Sequence, residues 1–184
     1  MKNVVLALVF LATLSVSAQD EKKWVIGVGV NFIDNTNSED NNYLDVSNWN
    51  STLSISKLGV QYYYDDAFSL ATEFSLNRLD RGIRQNGGNI DANKIYFALD
   101  LNARYDVASL LKFPSKFSVE PLVGFGTNWT DGTPNQSFNT GMTIGYQIDA
   151  TYGVRLQTVG KFATENNTLG NNMIQHSIEF LIKL

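Results

Sequence analysis

From Lys23 to Leu184 the chain keeps returning to one pattern, a large apolar residue at every second position. In Lys23–Phe32, Trp24, Ile26, Val28, Val30 and Phe32 share one face, while Val25, Gly27, Gly29 and Asn31 share the other. The same alternation runs through Phe68–Asn77, Lys94–Tyr105, Phe138–Asp149 and Ile174–Leu184. A period of two marks strands whose faces meet different surroundings. Phe117–Trp129 and Tyr152–Ala163 follow it less strictly. Between Thr52 and Tyr64 the phase slips: Leu53 and Ile55 are odd, whereas Leu58, Val60, Tyr62 and Tyr64 are even. A β-bulge near Ser56-Lys57 accounts for the slip. Eight strands result.

The second face distinguishes a membrane barrel from a soluble sandwich. A sandwich turns its large residues inward to build a core. Here the face opposite the apolar one carries Glu73, Asp100, Arg104, Glu120, Arg155, Lys161 and Glu179 among Gly, Ser, Asn and Gln. Many segments reach the ~9–11 residues that cross a bilayer at a tilt. Aromatic residues gather near strand ends, among them Trp24, Phe32, Tyr62, Phe68, Tyr105, Phe117, Trp129, Tyr146 and Tyr152. Interfacial girdles stand there. The expected fold is all-β, an eight-stranded antiparallel up-and-down transmembrane β-barrel.

Three connections are short or moderate: Asp65-Asp66, Asp106–Lys116 and Asp149–Thr151. The other four are polar and often longer: Ile33–Ser51, Leu79–Asp91, Thr130–Ser137 and roughly residues 164–172. Outer-membrane barrels have short periplasmic turns and longer extracellular loops, which places both termini in the periplasm. Pro121 falls inside a strand, where it needs a bulge or a bent end.

The first eighteen residues have a different character. Lys2 precedes an apolar run from Val4 to Leu14, and Ser15–Ala18 supplies small residues before Gln19. This is the form of a secretory signal peptide, and the run is too short for a spanning helix. The expected division is 1–18 signal peptide and 19–184 barrel domain. The chain has no Cys, so thiol chemistry and disulfides are excluded. A formal net charge of −4 gives no basic footprint for nucleic acid.

KWVIGVGVNFIDN, ISKLGVQYYYDDAFSLATEFSLNRL and NNMIQHSIEF resemble the N-terminal barrel of the OmpA-like outer-membrane protein family. The resemblance spans residues 23–184, and GVGVNFIDN and QHS are its more particular pieces. It implies a barrel in the outer membrane of a double-membraned bacterium. Larger members continue into a peptidoglycan-binding domain, which is not expected here. Such barrels usually end in an aromatic residue; Leu184 stands in that place.

The inward charges are the first candidates for chemistry. An eight-stranded interior is just wide enough for side chains to fill it. Arg104 is expected near Glu120, Arg155 near Glu179, and Glu73 near Asp100. A salt-bridge network that closes the lumen is preferred to a narrow gated channel lined by the same groups. The single His, His176, rules out paired-histidine metal sites and falls on the lipid-facing phase near the rim. Some small barrels are rim enzymes with a His there, but packing is the preferred role, and no catalysis is expected.

Residues 34–50 hold Asp34, Glu39, Asp40 and Asp45 without a Lys or Arg. Such oxygens suit Ca²⁺, yet the spacing is not an EF-hand loop, and a solvated acidic loop is preferred. Asp34, Asp40, Tyr43, Asp45 and Trp49 are its candidate contacts, with Tyr43 and Trp49 packing on the rim or meeting a partner. Gly27-Val28-Gly29 sits inside a strand and lacks a third glycine, so it is not a dinucleotide loop. No cofactor is expected. The expected partners are outer-membrane lipid and another outer-membrane or periplasmic protein, around a monomeric barrel.

Overall fold

A computed structural model describes residues 23–34, 46, 49–52, 54–82, 84–85, 88–165 and 171–184. Eight strands form the barrel: β1 Trp24–Asp34, β2 Lys57–Tyr63, β3 Phe68–Leu79, β4 Lys94–Tyr105, β5 Phe117–Thr130, β6 Thr133–Gln147, β7 Tyr152–Ala163 and β8 Met173–Lys183. Each pairs antiparallel with its neighbour in sequence, and β1 pairs with β8 to close the sheet. Closure leaves none of these eight strands at an open edge.

The register sets the size of the tube. The partners once round the sheet run Trp24, Tyr62, Leu70, Ala103, Val123, Thr140, Gly160, Ile174 and back to Asp34. The path therefore returns to β1 ten residues from its start. With eight strands, that stagger fixes a tilt of roughly 40–45° and a backbone radius of about 8 Å. Side chains fill such a tube. The stagger is also even, so every strand keeps its polar face inward all the way round.

The phase slip before β2 is real. Gly29 pairs with Lys57 and Phe32 with Ser51, so three steps along β1 are matched by six on the other strand. The surplus of three residues is odd and inverts the faces. Ser56 and Lys57 are both buried as a result, with Ile55 and Leu58 exposed on either side.

One boundary and one proline differ from the sequence expectation. The connection placed at Thr130–Ser137 is a two-residue hairpin: Asp131 and Gly132 both have positive φ, at 51° and 82°. β5 and β6 run unbroken to either side of it. This mirror-image turn matches strand twist, and Asp-Gly is its favoured pair. Pro121 needs neither a bulge nor a bend. Val119 turns its amide and its carbonyl to Asp106 and Val107, on the β4 side. Two residues on, the proline nitrogen faces that same side, just past the last β4 partner, Leu122. On the other side the pairing with β6 runs unbroken through Pro121 and Met142, so the missing N–H falls where the β4 ladder ends.

At the end holding Trp24 and Leu184, all three connections are held alike. One carboxylate oxygen of Asp65 accepts the amides of Ala67 and Phe68, at 2.8 and 2.6 Å. Asp149 does the same for Thr151 and Tyr152, both at 2.8 Å, and Asp106 for Ala108 and Val119. Each Asp replaces a backbone turn bond with its own side chain. At the opposite, loop end, Arg84–Gln85 and Gly88–Asn89 form a small hairpin between β3 and β4.

Candidate functional site: the filled lumen

The inward positions change character from one end of the tube to the other. Along β3 they read Ala71, Glu73, Ser75, Asn77, Leu79, and along β1 Val25, Gly27, Gly29, Asn31, Ile33. The ladder places a charged layer in the middle, an amide layer above it and an apolar layer at the loop end.

Eight charged side chains make the middle layer, four acidic and four basic, all nearly inaccessible: Lys57, Glu73, Asp100, Arg104, Glu120, Arg155, Lys161 and Glu179. Arg104 lies at the centre. It pairs with Glu73, donates to Gln61 and Gln157 at 2.9 and 2.6 Å, and lies 3.8 Å from Glu120. Arg155 reaches Glu179 at 3.6 Å and donates to Gln61 at 2.6 Å. Lys161 holds Asp100 with Nζ–Oδ1 2.6 Å, and Asn139 donates to the same oxygen at 2.9 Å. Glu73 and Asp100 are direct cross-strand partners, but each is occupied by a different cation. Glu120 also accepts from Tyr63 Oη at 2.9 Å and Thr143 Oγ1 at 3.1 Å.

Lys57 was not among the residues expected here. It bridges Glu73 at 3.3 Å and Glu179 at 3.7 Å, and it brings the layer to equal numbers of each sign. Its inward position follows from the three-residue surplus. The break of phase at Ser56-Lys57 was the signal available in the sequence.

The narrow tube accommodates these long side chains by placing glycine beside them. Asp100 is paired with Gly126, Glu73 with Gly59, Glu179 with Gly29 and Arg155 with Gly145. A Cβ on Gly126 would stand 1.9 Å from Asp100 Oδ1, and one on Gly27 2.4 Å from Glu179 Oε2. The volume is allotted to the charges.

Above the charges, Asn31 donates to the carbonyls of Ser56 and Leu76, and Asn77 donates to Asn31 Oδ1 at 2.8 Å. Gln175 donates to Ser75 Oγ at 2.7 Å. The loop end is then stopped by Ile33, Leu79, Ile90, Tyr96, Ala98 and Met173, which are buried together. Ile90 comes from the β3–β4 connection, held back by the bond from Gly82 N to Ile90 O. The sequence pattern assigned Ile33 and Leu79 to loops, whereas it put Tyr96 on the inward face, where the structure has it. The structure makes them a plug.

The terminal end is not stopped. A cavity of about 470 Å³ opens there, with Glu120 and Arg155 of the charged layer among its lining and Lys23, Asp66, Lys116 and Gln147 among the rest. The lumen is thus a blind well.

Of the first-loop candidates, Asp40, Tyr43 and Asp45 lie outside the described residues, as do Glu39 and the expected signal peptide. Asp34 ends β1 and is buried. Trp49 packs on the outer rim, stacked on His176 with ring centroids 4.6 Å apart and tilted against Phe32 at 6.0 Å. His176 Nδ1 lies 3.0 Å from Thr158 Oγ1. These contacts give the ring a packing position, with an indole over its face.

The outer wall is apolar. Leu99, Leu101, Val123, Phe125, Leu156 and Ile178 are among its exposed residues. Aromatic contacts ring both ends: Trp24–Tyr62, Phe117–Tyr146 and Tyr152–Phe180 near the termini, Phe97–Trp129 and Phe125–Phe138 toward the loops.

No protein-family model matches the chain, and a search of curated proteins found no relative. Solved structures do match. The outer-membrane protein Ail of Yersinia pestis, in a phospholipid bilayer nanodisc, superposes with a TM-score of 0.51 at 12% identity, over 89% of this chain and 100% of that one. Neisserial surface protein A superposes with a TM-score of 0.54 at 11% identity, over 89% and 98%. At such identities the likeness is one of fold, the closed eight-stranded antiparallel barrel of outer-membrane proteins.

Proposed function

We propose that this chain is an outer-membrane barrel of a double-membraned bacterium, akin to the OmpA-like barrels, that acts as a structural and docking element of the envelope. In this reading residues 1–18 are a signal peptide, and the mature barrel inserts as a monomer. Its termini and Asp-held turns stand in the periplasm. No catalytic role is assigned to His176 or to the lumen.

The observation that carries the reading is the way the lumen is filled. A path for ions needs water beside its charges, and here the charges meet one another under an apolar stop. The apolar wall between two aromatic belts supports the membrane setting. The well at the terminal end offers a concave polar surface to a periplasmic protein.

The test is electrical. Purified barrel, shown to be folded by heat-modifiable migration on detergent gels, is added to planar lipid bilayers. We expect no discrete conductance steps. Reproducible openings from folded protein would replace this reading with a gated channel. Recovery as a soluble monomer without detergent would overturn the membrane setting.

A further inference from the structure

Between β4 and β5 the chain makes a turn unlike its neighbours at the same end. Leu110, Leu111 and Phe113 are exposed there, at 70%, 57% and 48%. Three large apolar side chains in a short surface turn call for a partner. None of the three lines the cavity at the barrel mouth.

The turn leans outward, away from the lumen. Val119 has the outward phase of β5, as do Phe117 and Val123, yet only 8% of it is accessible while they show 38% and 53%. Asp106 and Val107 bond to both backbone groups of Val119, which lays the start of the turn along this wall. Ring contacts then run from Tyr146 to Phe117 at 5.1 Å and from Phe117 to Phe113 at 6.5 Å. The apolar knob is continuous with the lipid-facing aromatic belt.

The turn itself is a single helical turn closed by a C-terminal cap. Leu111 N bonds to Val107 O, Lys112 N to Ser109 O and Phe113 N to Ala108 O. This is the Schellman arrangement, whose left-handed position glycine usually fills. Lys112 fills it here, with φ 57°, and its side chain is exposed. A cation is thus held beside the apolar knob at a position glycine would occupy more easily.

Taken together, the geometry points to the 106–116 turn as a lipid anchor. Leu110, Leu111 and Phe113 insert into the phospholipid leaflet at the terminal end, and the Lys112 ammonium is held by its net-anionic headgroups. Amphipathic surface segments bind membranes through this combination of buried apolar area and attraction to anionic lipid. The inference rests on the outer-membrane reading above.

The absence of native Cys makes the test clean. Leu111→Cys is labelled with an environment-sensitive fluorophore, as are Leu99→Cys on the outer wall and Asp66→Cys in a neighbouring turn. The folded proteins are reconstituted in phosphatidylethanolamine–phosphatidylglycerol vesicles. The label at position 111 is expected to be quenched by brominated lipid chains and to be several-fold less sensitive to aqueous iodide than the label at 66. Iodide sensitivity equal to that at position 66 would overturn the anchor and leave the patch to a protein surface. A label at 99 that also escapes bromine would reject the membrane setting itself. Adding Lys112→Glu should weaken bromine quenching at 111 in phosphatidylglycerol vesicles and leave it unchanged in phosphatidylcholine. Equal quenching in both would reject the headgroup contact.

Discussion

At mid-height the tube holds Arg104, Lys161 and their carboxylates, and nearer the loops, beyond the amide layer, it holds Ile33, Leu79 and Tyr96. Both layers fill the same narrow cylinder, but by opposite means. The apolar plug gains from burial roughly in proportion to area and is indifferent to exact partnering. The charged layer gains little on balance, because desolvation offsets attraction, but it is severe on errors: any slip of register strands a charge. The plug seals the barrel, and the charged layer selects its register.

Removing one charge should give the largest effect. Lys161 and Asp100 are each other's ionic partner, so Lys161→Met should cost about 3–5 kcal/mol. Lys161→Met with Asp100→Leu should recover most of that loss. Reversible urea unfolding in vesicles measures the cycle. Small, additive losses would mean that water reaches the layer and that the two regions do not differ as described.

On the outer wall a charge has no partner to lose and meets lipid instead. Leu99→Arg should cost about 2–4 kcal/mol, the usual penalty near the bilayer midplane. The same unfolding series checks it. Tolerance equal to that of an exposed loop position would reverse the assignment of faces.

Within the plug the response should be graded. Ile33→Val should cost about 0.5–1.5 kcal/mol, the price of one methylene in a packed site. A loss as large as that of Lys161→Met would show the plug to be as exacting as the charges.

The smallest effect belongs to the turns. Two backbone amides bonded to Asp65 hold its carboxyl below the usual carboxylate range. A depressed folded pKa means that its contribution is present above the unfolded value, near pH 4, and fades as pH falls through the lower folded value. Wild type should therefore lose a small increment of stability in acid that Asp65→Asn does not. Parallel pH profiles would remove Asp65 from the account.

Strands such as β4 and β8 were legible residue by residue, because lipid on one side and packed polar groups on the other impose a strict period of two. The lumen was less so. Lys57 was hidden because facing can be counted only from an unbroken strand, and three surplus residues precede it. Ile33 and Leu79 were misplaced because an apolar inward residue looks like a strand end when polarity is the guide. Asp131-Gly132 carried its own turn signal, but the polar run Thr133–Gln136 beside it looked like loop. The pairing of each charge is a three-dimensional matter: Gln61, Arg104 and Gln157 meet across the lumen from strands far apart in sequence.

The ten-residue stagger also sets how the gene can change in length. Gain or loss of one codon inside a strand would turn the rest of that strand inside out, sending leucines to the charges and carboxylates to the lipid. At the terminal end the Asp-held turns between β2 and β3 and between β6 and β7 leave no slack to absorb it. The segment ahead of Lys57 has already absorbed an odd number of extra residues and restored the phase behind them. Insertions and deletions among descendants of this sequence should therefore collect there and in the loop-end connections, in any number, and elsewhere come only as compensated pairs.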